Sequence, residues 1–105
     1  MQEAVDRYRS LVDAIPARLV AIPEAECESR PGAGKWSKKE ILGHLIDSAA
    51  NNHQRFIRAQ AEPQSSFPGY AQEFWGSTQQ YQLESWEAMI ELWKSYNIHL
   101  LHVVA

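Results

Sequence analysis

The chain predicts an all-α fold. Apolar residues recur at helical spacing in three long segments. No stretch alternates apolar and polar residues as a half-buried strand does. Four tryptophans in 105 residues supply the large side chains that a helical core needs. That length indicates a single domain over residues 1–105.

The first segment covers 2–22, where Val5, Tyr8, Leu11, Val12, Ile15, Leu19 and Ile22 keep helical spacing. Pro16 lies inside it, removing one backbone donor and crowding the preceding turn. A kink or a restart is therefore expected near 13–16, and Pro23 closes the segment. Residues 23–36 have no apolar period and hold Pro23, Pro31, Gly32 and Gly34, so they read as a connector. Gly32-Ala33-Gly34-Lys35 is not a phosphate loop, because Trp36 stands where that motif requires Ser or Thr.

The second long helix has the sharpest signals. Ser37-Lys38-Lys39-Glu40 is a capping box, and Ile41, Leu42, Leu45, Ile46, Ala49, Phe56 and Ile57 follow as an apolar stripe. From 37 to 61 the helix spans 25 residues, roughly 37 Å, a length suited to a bundle. A loop is expected over 63–69, then short helical turns around Tyr70, Phe74, Trp75 and Tyr81, broken at Gly76. The last helix starts near 83–86 with Ser85 as a cap, and its stripe is Trp86, Met89, Ile90, Trp93, Asn97, Leu100 and Val104, widened by Leu101. It is still apolar at Ala105, without a glycine cap or polar tail. Two explanations stand open: a shortened chain, or an end covered by another chain.

Composition narrows the function. Ten basic against 13 acidic residues give a net charge of −3, which disfavours a nucleic-acid partner. The apolar runs are too short to span a membrane, and the N-terminus lacks the layout of a secretion signal. One cysteine, Cys27, excludes an internal disulfide framework and fits a reducing compartment, so a cytoplasmic location is expected. Cys27 reads as an ordinary free thiol.

The polar residues of the second long helix carry the functional signal. At about 100° per residue, His44, Ser48, Asn51 and Arg55 share one strip, off the centre of the apolar stripe. Asp47 lies three residues from His44, within reach on the helix surface. His44 therefore either faces solvent or is aimed at an element covering the strip. His53 reads as packing at the edge of the apolar stripe. His99 and His102 can meet on one face but point away from the core, and two donors fall short of the three or four of a zinc site.

The block from Gly34 to Ser48, with its Trp36-Ser37 cap and His44-Leu45-Ile46-Asp47-Ser48, resembles the DinB/YfiT-like superfamily of bacterial four-helix bundles. Residues 51–57, the stretch from Tyr70 to Trp75 and the Ile15-Pro16 kink are similar to it as well, so the likeness covers nearly the whole chain. The resemblance implies an up-and-down bundle and a divalent metal, zinc or nickel, held by three histidines. His44 matches the first. The other two belong four apart on a C-terminal fourth helix, which this chain lacks after Ala105, leaving three of the four helices. His99 and His102 have the wrong spacing for that pair. Asp47, Ser48, Asn51 and Arg55 are expected around the ion or its pocket. The activity implied is that of a metal-dependent hydrolase or a transferase using a small thiol, silent in this chain for want of ligands. The alternative is a non-enzymatic bundle that binds a partner helix or a small apolar ligand.

A bundle short of one helix exposes an apolar groove. Covering about 600 Å² is worth roughly 15 kcal/mol before association costs. A homodimer or a helix-exchanged oligomer is expected.

Overall fold

A computed structural model describes residues 2–61 and 71–104. The loop expected over 63–69, Tyr70 and the terminal Ala105 lie outside the described residues. In chain order the elements are α1 (Gln2–Val20), α2 (Glu24–Glu28), α3 (Lys38–Ala61), α4 (Gln72–Gln79), a 3-10 turn (Tyr81–Leu83) and α5 (Trp86–Val104). All described secondary structure is helical.

α1 runs unbroken through Pro16, so the expected restart does not occur. Proline deprives a helix of one hydrogen bond, but α1 is docked before it through Tyr8 and Val12 and after it through the Leu19 carbonyl, which accepts from the Trp86 indole of α5. Val12 is buried, and Tyr8 Oη donates to Asn97 Oδ1 of α5. Burial pushes the Tyr8 hydroxyl up from its ordinary pKa.

The stretch read as a plain connector holds α2. Pro23 precedes it with an extended backbone, and its carbonyl accepts from the amides of Glu26 (3.0 Å) and Cys27 (3.2 Å). One turn suffices to bury Cys27 against Leu42, Ile46, Tyr81, Trp86, Met89 and Ile90. Desolvation pushes the Cys27 thiol up, which keeps it protonated and unreactive.

The capping box of α3 forms as read. The Ser37 amide donates to Glu40 Oε1 at 3.0 Å, and the Glu40 amide donates to Ser37 Oγ at 3.2 Å. Arg30 adds two bonds of 3.0 Å each to the same carboxylate and holds it below the usual carboxylate range. α4 passes through Gly76 instead of breaking there. It ends at Gln80, whose left-handed backbone (φ 53°) turns the chain so that Tyr81 is buried. α5 begins as expected, with the Ala88 amide donating to Ser85 Oγ at 3.2 Å. The Trp86 amide donates to Glu24 Oε1 at 2.8 Å, and its indole to the Leu19 carbonyl at 2.9 Å. The first of these bonds is the main reason that the Glu24 carboxyl lies below its ordinary range.

α5 is the central helix. It packs against both α1 and α3, which make little direct contact with one another. The α3 stripe therefore divides. Leu42, Ile46 and Ala49 are buried, whereas Ile41 (48%), Leu45 (45%), Phe56 and Ile57 remain exposed. Between α1 and α3, Ile15, Leu19, Ile22, Ile41, Leu42, Leu45, Trp86, Trp93 and the Lys38 stem line an open groove of about 260 Å³.

Candidate functional site

His44 lies two turns into α3, on the side that meets α4 and the 3-10 turn. Trp36, next to the capping serine, lays its ring against the imidazole with centroids 5.4 Å apart and planes tilted by 53°. Both side chains are half-buried. They line a cleft of about 360 Å³, together with Asp47 and Tyr81 behind, Arg30 and Glu40 at one side, and Gln72, Glu73 and Ser77 of α4 opposite. Of the two orientations left open by the sequence, His44 takes the one aimed at a covering element.

Asp47 is 2% exposed and is fixed by residues distant in sequence. Its Oδ1 accepts from Tyr81 Oη at 2.6 Å and from Gln79 Nε2. Burial, followed by the adjacent Asp47 carboxylate, pushes the Tyr81 hydroxyl far above its ordinary pKa. The pair thus forms the rigid back wall of the cleft. Tyr81→Phe removes one donor from a buried carboxylate, and an expected loss of about 1–3 kcal/mol follows; urea unfolding checks it. A hydroxyl with a raised pKa stabilises the fold below the ordinary tyrosine value and loses that contribution as pH rises through the folded one. Native Tyr81 should accordingly escape ionisation in an alkaline absorbance titration until the chain unfolds.

The rest of the strip separates from His44. Ser48, Asn51 and Arg55 do not line this cleft. Asn51 Nδ2 donates to the Asp47 carbonyl at 2.9 Å, bracing the helix behind the site. Arg55 Nη1 reaches Asn52 Oδ1 at 3.3 Å. Ser48 is half-buried. Tyr81, Gln79 and Arg30 belong to the site and carried no functional signal in the sequence, since each reaches it through a tertiary contact.

The sequence model of the DinB superfamily matches residues 3–102. The chain belongs to the DinB superfamily. No curated protein and no solved structure matches it. The all-helical architecture of this DinB domain is the one its Trp36-Ser37 and His44-to-Ser48 block implied. No described helix is long and apolar enough to cross a membrane.

The described side chains that line this cleft do not by themselves compose a metal centre. Among the described residues, no three His, Cys, Asp or Glu side chains converge to hold one ion. His44 is the one imidazole lining the cleft, and the Asp47 carboxylate is already engaged by two donors.

Proposed function

We propose that this DinB domain is the scaffold of a metal-dependent hydrolase or thiol-dependent transferase whose working site is the His44 cleft. In this reading His44 gives one imidazole to a divalent ion, zinc or nickel, and the other ligands come from outside the described residues. Asp47 and Tyr81 position the back wall, and Trp36 fixes the ring on which coordination depends. The cleft suits a small polar molecule, of which a low-molecular-weight thiol is one. The observation carrying the reading is the placement of His44: half-buried, held against Trp36, at the edge of a polar cleft beside Asp47.

A second reading is favoured by the groove between α1 and α3. Its exposed Ile41 and Leu45, with Leu11 further along α1 at 50% exposure, form an unpartnered apolar face. Such a face suits a helix from a second copy of the chain, in a homodimer or helix-exchanged oligomer with no enzymatic role.

One experiment separates the two. An amphipathic helical peptide carrying His-x-x-x-His is added to the chain, and zinc and nickel are measured after equilibrium dialysis. The first reading expects one ion per complex, lost on His44→Ala. Absence of stoichiometric metal, or loading indifferent to His44→Ala, overturns it. A tryptophan fluorescence shift on peptide addition, equal with and without metal, favours the second reading. A monomer by light scattering at micromolar concentration overturns the self-association.

A further inference from the structure

On the far half of α3, away from the His44 cleft, a second group of imidazoles comes together. His53 of α3 meets His99 of α5 edge to face, with ring centroids 5.2 Å apart and planes at 85°. His102 follows one turn later, its ring 6.1 Å from that of His99. Tyr96, three residues before His99, places its Oη 2.9 Å from His53 Nδ1. His53 is half-buried, whereas His99 and His102 are exposed, so the group is open to solvent.

We infer that His53 and His99 form a two-imidazole site for a zinc-class divalent ion that clamps α3 to α5. Distance is the first argument. Two imidazoles bonded to one ion at about 2.0–2.1 Å with tetrahedral angles have ring centres about 5 Å apart. The observed 5.2 Å matches that separation. The second argument is the tyrosine. When His53 Nδ1–H donates to Tyr96 Oη, the Nε2 lone pair is left for a metal, and the ring is held in the tautomer that ligation requires. Thirdly, imidazole prefers zinc and its neighbours to the oxygen-seeking magnesium or calcium. His102 lies beyond the shared position, in keeping with the absence of any three-donor group among the described residues. Water or an external ligand completes the coordination, so binding is weaker than at a closed structural site and responsive to added ligands. The site shares no residue with the His44 cleft and does not depend on the function proposed for it.

The test is calorimetric titration of zinc into the chain carrying His44→Ala, which removes the other candidate ligand. Saturable binding of one ion at sub-millimolar concentration is expected, with a rise in Tm because the ion joins two helices. His99→Ala, at an exposed position, should weaken binding by at least about tenfold, and Tyr96→Phe by about tenfold through loss of ring orientation. His102→Ala should leave it unchanged. Equal affinity with and without His99, no saturable binding below millimolar zinc, or binding lost with His44 alone would each overturn the proposal. The imidazole nitrogen resonances of His53 and His99 give an independent readout, since both should shift together on zinc addition.

Discussion

Gly43→Ala is expected to destabilise the fold by about 1–3 kcal/mol, the usual cost of forcing a methyl into a packed core, although alanine is the better helix former. A Cβ at position 43 would lie 2.2 Å from Tyr81 Cδ2, 2.5 Å from Cγ and 2.6 Å from Cε2. Those atoms belong to the root and edge of a ring, not to a mobile tip. The ring is also held at its far end, where Oη bonds Asp47 one turn along the same face of α3. It cannot yield without breaking that bond or moving the 3-10 turn. Intrinsic propensity argues the other way by about 0.8–1.0 kcal/mol, so the sign of the result decides between the two effects. Gly76→Ala is the control. It lies mid-helix in α4 with nothing within 4 Å of the added Cβ, and it should stabilise by about 0.5–1 kcal/mol. Urea unfolding of both variants checks the pair. Stabilisation by Gly43→Ala would show that the Tyr81 ring does not occupy this place.

The difference between these glycines marks what was legible in advance. Both look alike in sequence, and Gly76 reads there as a break, because a lone glycine in a short helix gives no sign of its surroundings. The capping box was legible because Ser37 and Glu40 bond each other within one turn. Long periodic segments were legible for the same local reason. α2 was not: five residues bury one side chain, Cys27, and no period emerges from a single point. α1 continues through Pro16 because it docks on α5 through Tyr8 and Val12, a contact that cannot be read locally. At the site, the block from Trp36 to Ser48 singles out His44, which lines the cleft. The partners of Asp47, 32 and 34 residues further on, were invisible. Helical spacing grouped Ser48, Asn51 and Arg55 with His44, yet the cleft closes over only the first turn of that strip, where α4 and the 3-10 turn cross α3. Helical spacing pairs His99 with His102, whereas the nearer neighbour of His99 is His53, across the interface.

Lys39 was the least legible residue, since a lysine in the first turn of a helix normally extends into water. Here it is 2% exposed. Its Nζ donates to Glu28 Oε1 at 3.0 Å and to the Glu84 carbonyl at 2.6 Å, and lies 3.5 Å from both the Gln82 carbonyl and Glu24 Oε1. One ammonium thereby joins α2, α3 and the chain entering α5, and Glu24 passes the connection on to the Trp86 amide. Lys39→Met keeps the aliphatic volume and removes the charge. Replacing a buried ion pair by apolar groups is often neutral, because desolvation offsets attraction. That argument is weaker here. Glu24 and Glu28 are about half exposed and keep their hydration after the change, but the two carbonyls lose a charged donor that methionine does not replace. Hydrogen bonds to charged groups contribute about 1.5–3 kcal/mol each. A net loss of about 2–3 kcal/mol is expected, roughly 8–20 °C in Tm for a domain of this size. The loss should persist in high salt, which screens the exposed Arg9–Asp6 pair but not a buried ammonium. Thermal melts at low and high ionic strength measure both points. A Lys39→Met chain as stable as the parent would mean that these three segments are held by the apolar cluster around Met89 alone, with the ammonium a tolerated passenger.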